Sequence, residues 1–213
     1  MRPPSLAQAG LLFALILFFI SCKEPARPGL RTGTPVNDQK LCGCKPSNVS
    51  KDDWRITIKN VPLPADANPT DVTVKEILAW RQTTTPISSA PRSDAELRVY
   101  RIRKAYLQST FLQEGDCDFH VEISEEPGKN APRMIVETPG MKEFCPARLK
   151  LLAQLRQTGF TLTNLNQELA HPLPVEVIGL GFHDRWHAFW IPRGSSKVAT
   201  LWELHPAVVK LLQ

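Results

Sequence analysis

Residues 97–112 read LRVYRIRKAYLQSTFL, a long stretch rich in the β-branched and aromatic residues that are typical of strands. Tyr100 and Tyr106 fall on one face of this stretch, whereas Arg101 and Arg103 fall on the other, because strand side chains alternate with period two. We therefore predict a single long strand here.

The chain after this strand first repeats the strand signals and then changes period. Gly115-Asp116 marks a turn, and in residues 144–158 the leucines recur every three positions, which favours a helix. The further strand segments are 119–123 (FHVEI), 133–138 (RMIVET), 175–182 (VEVIGLGF) and 201–204, the last resuming at 208–212 after Pro206. Between the helix and the fourth strand, Pro172 and Pro174 predict a loop.

The predicted order is three strands, a helix and two strands, which is the element order of the OB-fold. That fold is a small five-stranded Greek-key barrel with its helix between strands three and four. We therefore predict a mainly β chain with an OB-like barrel over residues 96–213. Residues 42–95 are expected to form an N-terminal extension, in which 54–59 (WRITIK) alternates like a strand and 72–80 favours a short helix capped by Asp71.

The first 21 residues have the features of a secretory signal peptide. Arg2 is followed by an apolar run over residues 11–20, which is too short to span a bilayer as a helix. Ser21 and Cys22 follow directly and resemble a bacterial lipobox, so we predict cleavage before Cys22 and a lipid anchor in the membrane. The alternative is an ordinary secretory signal with an incidental cysteine. Residues 22–41 are expected to form a flexible tether, and the domain to lie outside the cytoplasm, in the bacterial cell envelope or secreted.

Charge and composition limit the possible functions. The 213 residues include 26 Lys and Arg against 21 Asp and Glu, and a formal net charge of +5 is too small to indicate nucleic-acid binding by itself. With 42% hydrophobic and 22% charged residues, the composition excludes a disordered or collagen-like chain. The 19 prolines against 11 glycines argue against an all-helical bundle and favour short elements joined by rigid turns.

Four cysteines remain apart from Cys22, and they are Cys42, Cys44, Cys117 and Cys145. In an oxidising compartment an even number favours two disulfides, for which three pairings exist. The Cys42–Cys44 pairing is the least favourable, because a bridge across one residue strains its geometry. The alternative is a Cys₄ zinc site, although the Cys-Gly-Cys spacing is shorter than the usual one. We expect disulfides that attach the N-terminal segment to the core.

Acidic and histidine side chains concentrate on the predicted strands and at their ends. Asp118, His120 and Glu122 alternate along the second strand and therefore share one face. Glu203 and His205 repeat this spacing near the C-terminus. Carboxylates with imidazoles are ligands that suit Zn, Mn or Fe, and the same residue types also perform acid–base chemistry without a metal. The alternative is that they form the solvated face of half-exposed strands.

These residues are assigned roles on that basis. The predicted catalytic or proton-transfer groups are His120, His187, His205 and Glu137, and the predicted ligands of a divalent metal cofactor are Asp118, Asp184 and Glu203. The predicted reaction is hydrolysis of a phosphodiester or a similar polar substrate, because a bound metal can activate water.

The basic first strand favours a different function. Arg101, Arg103 and Tyr106 combine positive charge with an aromatic side chain, which OB-folds use to bind oligonucleotides or oligosaccharides. The second hypothesis is therefore a non-catalytic binding module for an anionic polymer, such as DNA or an acidic polysaccharide. The alternative for these arginines is that they pair with acids on neighbouring strands. A third hypothesis is an envelope scaffold that contacts other proteins.

Five short motifs lie along the predicted domain. They are Asp118-Phe-His120, Ile135-Val-Glu-Thr-Pro139, Cys145 with the helix after it, Gly179-Leu-Gly-Phe-His-Asp-Arg-Trp-His187 and Glu203-Leu-His-Pro206. Together they resemble a group of uncharacterised secreted bacterial proteins, whose counterparts read Asp-Tyr-His, Ile-Ala-Glu-Ile-Pro, Gly-Val-Gly-Phe-Phe-Asp-Phe-Leu-His and Glu-Leu-His-Pro. That group has no established activity, so the resemblance supports the acidic and histidine residues without implying a reaction.

A looser resemblance concerns the turn between the first two strands. Gly115-Asp116 resembles the corresponding turn of the thermonucleases, which are secreted OB-fold phosphodiesterases. Their Asp-Gly-Asp-Thr run is replaced here by Glu114-Gly-Asp-Cys117. The resemblance implies a fold rather than an activity, since one fold hosts many functions.

Overall fold

The structure is a computed structural model that describes residues 32–45, 55–82, 91–92, 94–184 and 194–212. The predicted signal peptide, Cys22 and His187 lie outside these residues. Among the residues that are described, no helix is both long enough and apolar enough to cross a membrane.

The described residues contain six strands, which are β1 (Thr70–Asp71), β2 (Val99–Gln113), β3 (Asp118–Ser124), β4 (Arg133–Thr138), β5 (Gln167–His183) and β6 (Val198–Leu211). Strands β2 to β6 form a closed barrel in the order β2-β3-β4-β6-β5, because β5 also pairs with β2. Strands β4 and β6 are parallel, and the other barrel neighbours are antiparallel. The predicted mainly β fold, with five barrel strands and one helix between the third and fourth, is confirmed.

The same residues form four α-helices, which are α1 (Asp38–Gly43), α2 (Ile56–Lys59), α3 (Val74–Leu78) and α4 (Cys145–Gln157). Helix α4 is the predicted one between the third and fourth barrel strands. Pro146 lies in its first turn, where a missing N–H leaves no helical bond unmade. Gly159 follows its end with a φ of 81°, a left-handed conformation that glycine adopts without strain. Leu152 and Leu155 pack into the core of the barrel.

Apolar and polar side chains alternate along β3, and both sets are buried. Phe119 and Val121 belong to the hydrophobic core, so the alternate residues Asp118, His120 and Glu122 face the other side of the sheet. These three are 0%, 4% and 0% exposed, because other segments cover this face. The alternative of a solvated face on a half-exposed strand is therefore wrong.

Two disulfides attach the N-terminal extension to the barrel. Cys42 is bonded to Cys145 at the start of α4, and Cys44 is bonded to Cys117 just before β3. The expected disulfides are confirmed, and the bonded sulfur atoms leave no Cys₄ zinc site. Disulfides of this kind are compatible with a location outside the cytoplasm.

The later part of the predicted tether is structured. Pro35 pairs with Thr163 beyond α4, and α1 follows with an N-cap at Asn37. Leu41 is fully buried in the core. From residue 32 onward the segment is therefore part of the folded domain rather than a flexible tether.

The strand predicted for residues 54–59 of the extension is wrong. The alternation of residues 54–59 predicts a strand, but the described part forms the single turn α2. Arg55 precedes it with a φ of 59° and makes a buried ion pair with Glu96, with Nη1 and Oε1 2.8 Å apart. Contacts with the rest of the fold therefore outweigh a short alternating pattern.

The cap of the next helix is also corrected. Helix α3 confirms the predicted helix, but Thr73 rather than Asp71 is its N-cap, and Thr73 forms a capping box with Glu76. Asp71 lies instead in β1, which pairs in parallel with β2.

Two segments with prolines differ from the prediction. The expected loop at Pro172 and Pro174 lies inside β5, where the register against β2 jumps from Leu173 to Glu168. Strand β6 runs through Pro206 and has a register shift against β5 at that point. Irregular pairing allows a strand to contain proline, which has no N–H to donate.

Candidate functional site

Three neighbouring strands bring predicted site residues together. Strands β3, β4 and β6 are adjacent, so residues that lie on the same face of these strands share one surface. In the register His120 lies opposite Glu137, and Ile135 lies opposite Glu203. The resulting acid–histidine cluster consists of Asp118, His120, Glu137, Glu203 and His205, each at most 6% exposed.

His120 and Glu137 form a directed pair. The Nδ1 atom of His120 lies 2.8 Å from Oε1 of Glu137, which fixes the orientation of the ring. The Nε2 atom has no hydrogen-bond partner among the described residues, and Oε1 of Glu122 is 3.9 Å away, beyond hydrogen-bond distance. Burial would lower the pKa of His120, but Glu122 and Glu137 raise it to about 9.

His205 faces acceptors with both ring nitrogens. Its Nδ1 atom lies 3.1 Å from the backbone carbonyl oxygen of Lys59, which only accepts, so Nδ1 carries a proton and donates it. Its Nε2 atom lies 2.9 Å from Oδ2 of Asp118 and 3.8 Å from Oε2 of Glu137. A histidine that is held by a backbone carbonyl through one nitrogen, and that faces carboxylates with the other, is oriented as metal-binding histidines are.

Sequence reasoning missed Lys59, whose ammonium group lies among the carboxylates of the cluster. Three oxygens lie close to its Nζ atom, which are Oε2 of Glu137 at 2.6 Å, Oδ2 of Asp118 at 3.5 Å and Oε1 of Glu203 at 3.5 Å. Burial would lower the pKa of Lys59, but these carboxylates hold it well above its usual range. Burial would raise the pKa of Glu137, but Lys59 and His120 hold it well below its usual range.

A cavity of about 100 Å³ lies beside the cluster. Its polar lining residues are Lys59, Gln113, Asp116, His120, Glu137, Asp184 and Glu203. The volume is enough for about three water molecules at their liquid density. Gly194 also borders it, and a Cβ atom at that position would clash with Oε1 of Glu122 and lie 3.1 Å from Nε2 of His120. The backbone of Gly194 therefore approaches both side chains closely.

Asp116 is a second site residue that sequence reasoning missed, since it entered only as part of a turn. Its Oδ1 atom accepts a hydrogen bond of 3.1 Å from the backbone N–H of Asp118. Burial raises the pKa of Asp116 to about 7, and the charges of Asp118 and Glu137 add to this shift. The alternation from Asp116 to Asp118 and His120 was a signal that could have extended the predicted set.

Arg148 of α4 places another buried cation near these aspartates. It is 1% exposed, and its three guanidinium nitrogens have no hydrogen-bond partner among the described residues. Burial lowers the pKa of Arg148 to about 10, while Asp118 and Asp116 oppose this shift. Arg148 is therefore a second buried cation, in addition to Lys59, on the side of the cluster where these aspartates lie.

Asp118, Glu137 and His205 could together hold a metal ion. Each offers one ligand atom, and these atoms lie within 4.8 Å of one another. Asp118 is a predicted metal ligand, whereas the other two are predicted proton-transfer groups. The remaining predicted ligands, Asp184 and Glu203, border the cavity. The position of the predicted catalytic His187 falls outside the described residues.

Glu122 shares the face of β3 but belongs to a separate network, the Glu122–Arg133 cluster, which also includes Glu168 and Ser195. Its Oε2 atom accepts from Nη1 of Arg133 at 3.0 Å and from Oγ of Ser195 at 2.6 Å. Its Oε1 atom accepts from the backbone N–H of Ser195 at 2.5 Å. Arg133 also binds both carboxylate oxygens of Glu168, at 2.7 and 2.8 Å.

The basic strand is partnered by an acid. Arg101 and Arg103 both bind Asp71 of β1, with closest nitrogen–oxygen distances of 2.8 and 2.7 Å. The Lys104 ammonium group lies 5.5 Å from the centre of the Tyr106 ring. These arginines therefore pair with an acid on a neighbouring strand, as the alternative interpretation predicts. Binding of an anionic polymer by this strand stays a prediction.

The chain matches no protein-family model, no curated protein and no solved structure at a significant level. The resemblance of its motifs to uncharacterised secreted proteins therefore stays a prediction.

Proposed function

We propose that the chain is an extracytoplasmic hydrolase that uses a divalent metal ion bound by Asp118, Glu137 and His205. The observation that carries this proposal is that one ligand atom of each residue lies within 4.8 Å of the others, beside a cavity of about 100 Å³. Two carboxylates with an imidazole suit Zn, Mn or Fe. Three protein ligands next to an open space are typical of catalytic metal sites.

The charges around the cavity also favour a cation. Its lining includes four carboxylic acids, Asp116, Glu137, Asp184 and Glu203, against two basic groups, Lys59 and His120. An excess of acidic groups in a cavity attracts cations and repels anions. An anionic substrate such as a phosphodiester therefore needs the charge of a bound metal in order to enter.

His120 has the position of a proton-transfer group in this reaction. Its Nδ1 atom is held by Glu137, while its unpartnered Nε2 atom lies beside Gly194 on the cavity wall. A metal held by Asp118, Glu137 and His205 would supply a Lewis acid at this site. Protonated His120 would donate a proton from Nε2 to the leaving oxygen as the bond between that oxygen and phosphorus breaks, and it would regain a proton from the water whose oxygen forms the new bond to phosphorus.

The proposed location is the bacterial cell envelope, with the chain anchored through a lipid on Cys22. The disulfides Cys42–Cys145 and Cys44–Cys117 support the oxidising compartment that this location provides. The sequence of the first 22 residues supports the anchor.

Hydrolysis of bis(4-nitrophenyl) phosphate by the chain, purified with both disulfides formed, tests the proposed reaction. We expect activity that EDTA abolishes and Mn²⁺ or Zn²⁺ restores, and a loss of about 100-fold or more in kcat for His120→Gln, because general acid–base groups contribute about 10²–10⁴-fold. Mn²⁺ affinity should change little in this variant.

His171→Gln is the matched control, because His171 is an exposed histidine outside the cluster. It should retain full activity. Hydrolysis that is insensitive to EDTA, or equal in His120→Gln and the control, would contradict the proposal. Absence of any metal-stimulated hydrolysis would exclude phosphodiesters as the substrate class.

A further inference from the structure

The ammonium group of Lys59 lies on the oxygens that a metal would use. Oε2 of Glu137 is 2.6 Å from Nζ of Lys59 and 3.8 Å from Nε2 of His205. Oδ2 of Asp118 is 3.5 Å from Nζ and 2.9 Å from Nε2. A metal bound to these oxygens and to Nε2 would form bonds of about 2.0–2.2 Å, and would therefore lie in the space that the ammonium group borders.

Simultaneous binding of the Lys59 ammonium group and a metal ion to these carboxylates would be unfavourable. Like charges a few ångströms apart repel strongly in a buried site, where water screens them poorly. Lys59 is only 12% exposed at its side chain, and Asp118 and Glu137 are 0% and 7% exposed. The adjoining cavity, which Lys59 lines, has room for the displaced ammonium group.

The backbone and the side chain of Lys59 have separable roles. Its carbonyl oxygen accepts from Nδ1 of His205 at 3.1 Å and from Nη2 of Arg92 at 3.2 Å. These bonds orient the histidine towards the metal position. The side chain, by contrast, neutralises the carboxylates that would bind the metal. A substitution at this position therefore removes the charge and leaves the carbonyl in place.

We infer that the Lys59 ammonium group and the divalent metal compete for the same carboxylate oxygens, so that Lys59 limits metal affinity and neutralises the site when it is empty. This inference rests on the proposed function, since it concerns the same metal site. The metal enters by displacing the ammonium group from Glu137 and Asp118, and no covalent bond changes.

Calorimetric titration with MnCl₂ tests the competition in the full chain after metal removal, with both disulfides formed. We expect Lys59→Met to bind Mn²⁺ at least tenfold more tightly than the unsubstituted chain, because the competing charge is gone. Lys59→Arg, which keeps the charge, should bind no more tightly. Lys197→Met is the matched control, because Lys197 pairs with Glu168 at 3.3 Å outside the cluster, and it should bind as the unsubstituted chain does.

The outcomes separate the competition from the proposed function. Equal or weaker binding by Lys59→Met, while the unsubstituted chain binds Mn²⁺, would overturn the competition only. No Mn²⁺ binding by any of these chains would overturn the proposed function and the competition with it.

A second readout needs no substitution. If the metal displaces the ammonium group, acetylation of Lys59 by acetic anhydride, followed by mass spectrometry, should be faster with Mn²⁺ than without it, relative to Lys197. Unchanged labelling of Lys59 in the metal-bound chain would also overturn the competition.

Discussion

Two buried ion clusters share strand β3 and differ in how completely their carboxylates are partnered. In the Glu122–Arg133 cluster both oxygens of Glu122 accept hydrogen bonds, and Arg133 binds Glu168 through two nitrogens. In the acid–histidine cluster, Oδ1 of Asp118 and Nε2 of His120 have no hydrogen-bond partner among the described residues. The two clusters begin only four residues apart along one strand.

The difference indicates different roles for residues of the same chemical type. A buried carboxylate whose oxygens both accept hydrogen bonds from protein groups stabilises one conformation and has no oxygen left for a ligand. A buried charge with an unpartnered atom beside a cavity keeps that capacity and costs stability. The Glu122–Arg133 cluster is therefore interpreted as structural, and the acid–histidine cluster as the site of function.

The largest expected effect is on folding, and it comes from breaking the partnered cluster. Arg133→Met leaves Glu122 buried without its cation, and breaking a buried pair costs about 3–5 kcal/mol. Urea unfolding should show this loss, while the Mn²⁺ affinity of the folded protein stays unchanged. A decrease in the free energy of unfolding of less than about 1 kcal/mol, as is typical of surface ion pairs, would contradict a structural role for the Glu122–Arg133 cluster.

A smaller effect should distinguish the clusters by pH. Burial would raise the pKa of Glu122, but the nearby His120 and the hydrogen bonds from Ser195 and Arg133 hold it far below the usual value of 4.5. A depressed folded-state pKa contributes stability that is complete above about pH 4.5 and is lost as the pH falls further. Melting temperatures measured from pH 6 to pH 3 should therefore fall less steeply for Glu122→Gln than for the unsubstituted chain. Parallel curves would contradict this assignment.

The smallest effect is expected at a third ion cluster, which is exposed. Arg103 pairs with Asp71, but their side chains are 64% and 48% exposed, so water and salt screen the attraction. Arg103→Gln should change neither the melting temperature nor the Mn²⁺ affinity beyond experimental error. A clear loss of stability would show that exposure does not set this cluster apart from the two buried ones.

Much of the barrel was predictable because its strands have strong local patterns. The alternation in β2, β3 and β4 and the three-residue leucine spacing in α4 each gave the correct element. Local rules failed where tertiary contacts decide the outcome. Strand β6 continues through Pro206 because irregular pairing accommodates it, and the residues of α2 form a helical turn because Arg55 is fixed by Glu96.

The site was predictable to the extent that its residues lie at alternate positions on strands. Asp118 and His120 share a face for that reason, and Glu203 and His205 do so again on β6. Lys59 gave no such signal, because its role depends on the extension placing its ammonium group 2.6 Å from Glu137, a residue 78 positions later in the chain. Contacts of this kind arise from the fold and have no local pattern in the sequence.

The metal content of the full chain, measured by elemental analysis together with a free-thiol count, tests the proposed metal site itself. After equilibration with Mn²⁺ or Zn²⁺ and removal of unbound metal, we predict one metal ion per chain and no free thiol on the four bridged cysteines. Asp118→Asn should bind none, and Asp71→Asn, changed at the exposed cluster, should retain it. A chain without metal, or an Asp118→Asn variant that keeps its metal, would show that Asp118, Glu137 and His205 do not form a metal site.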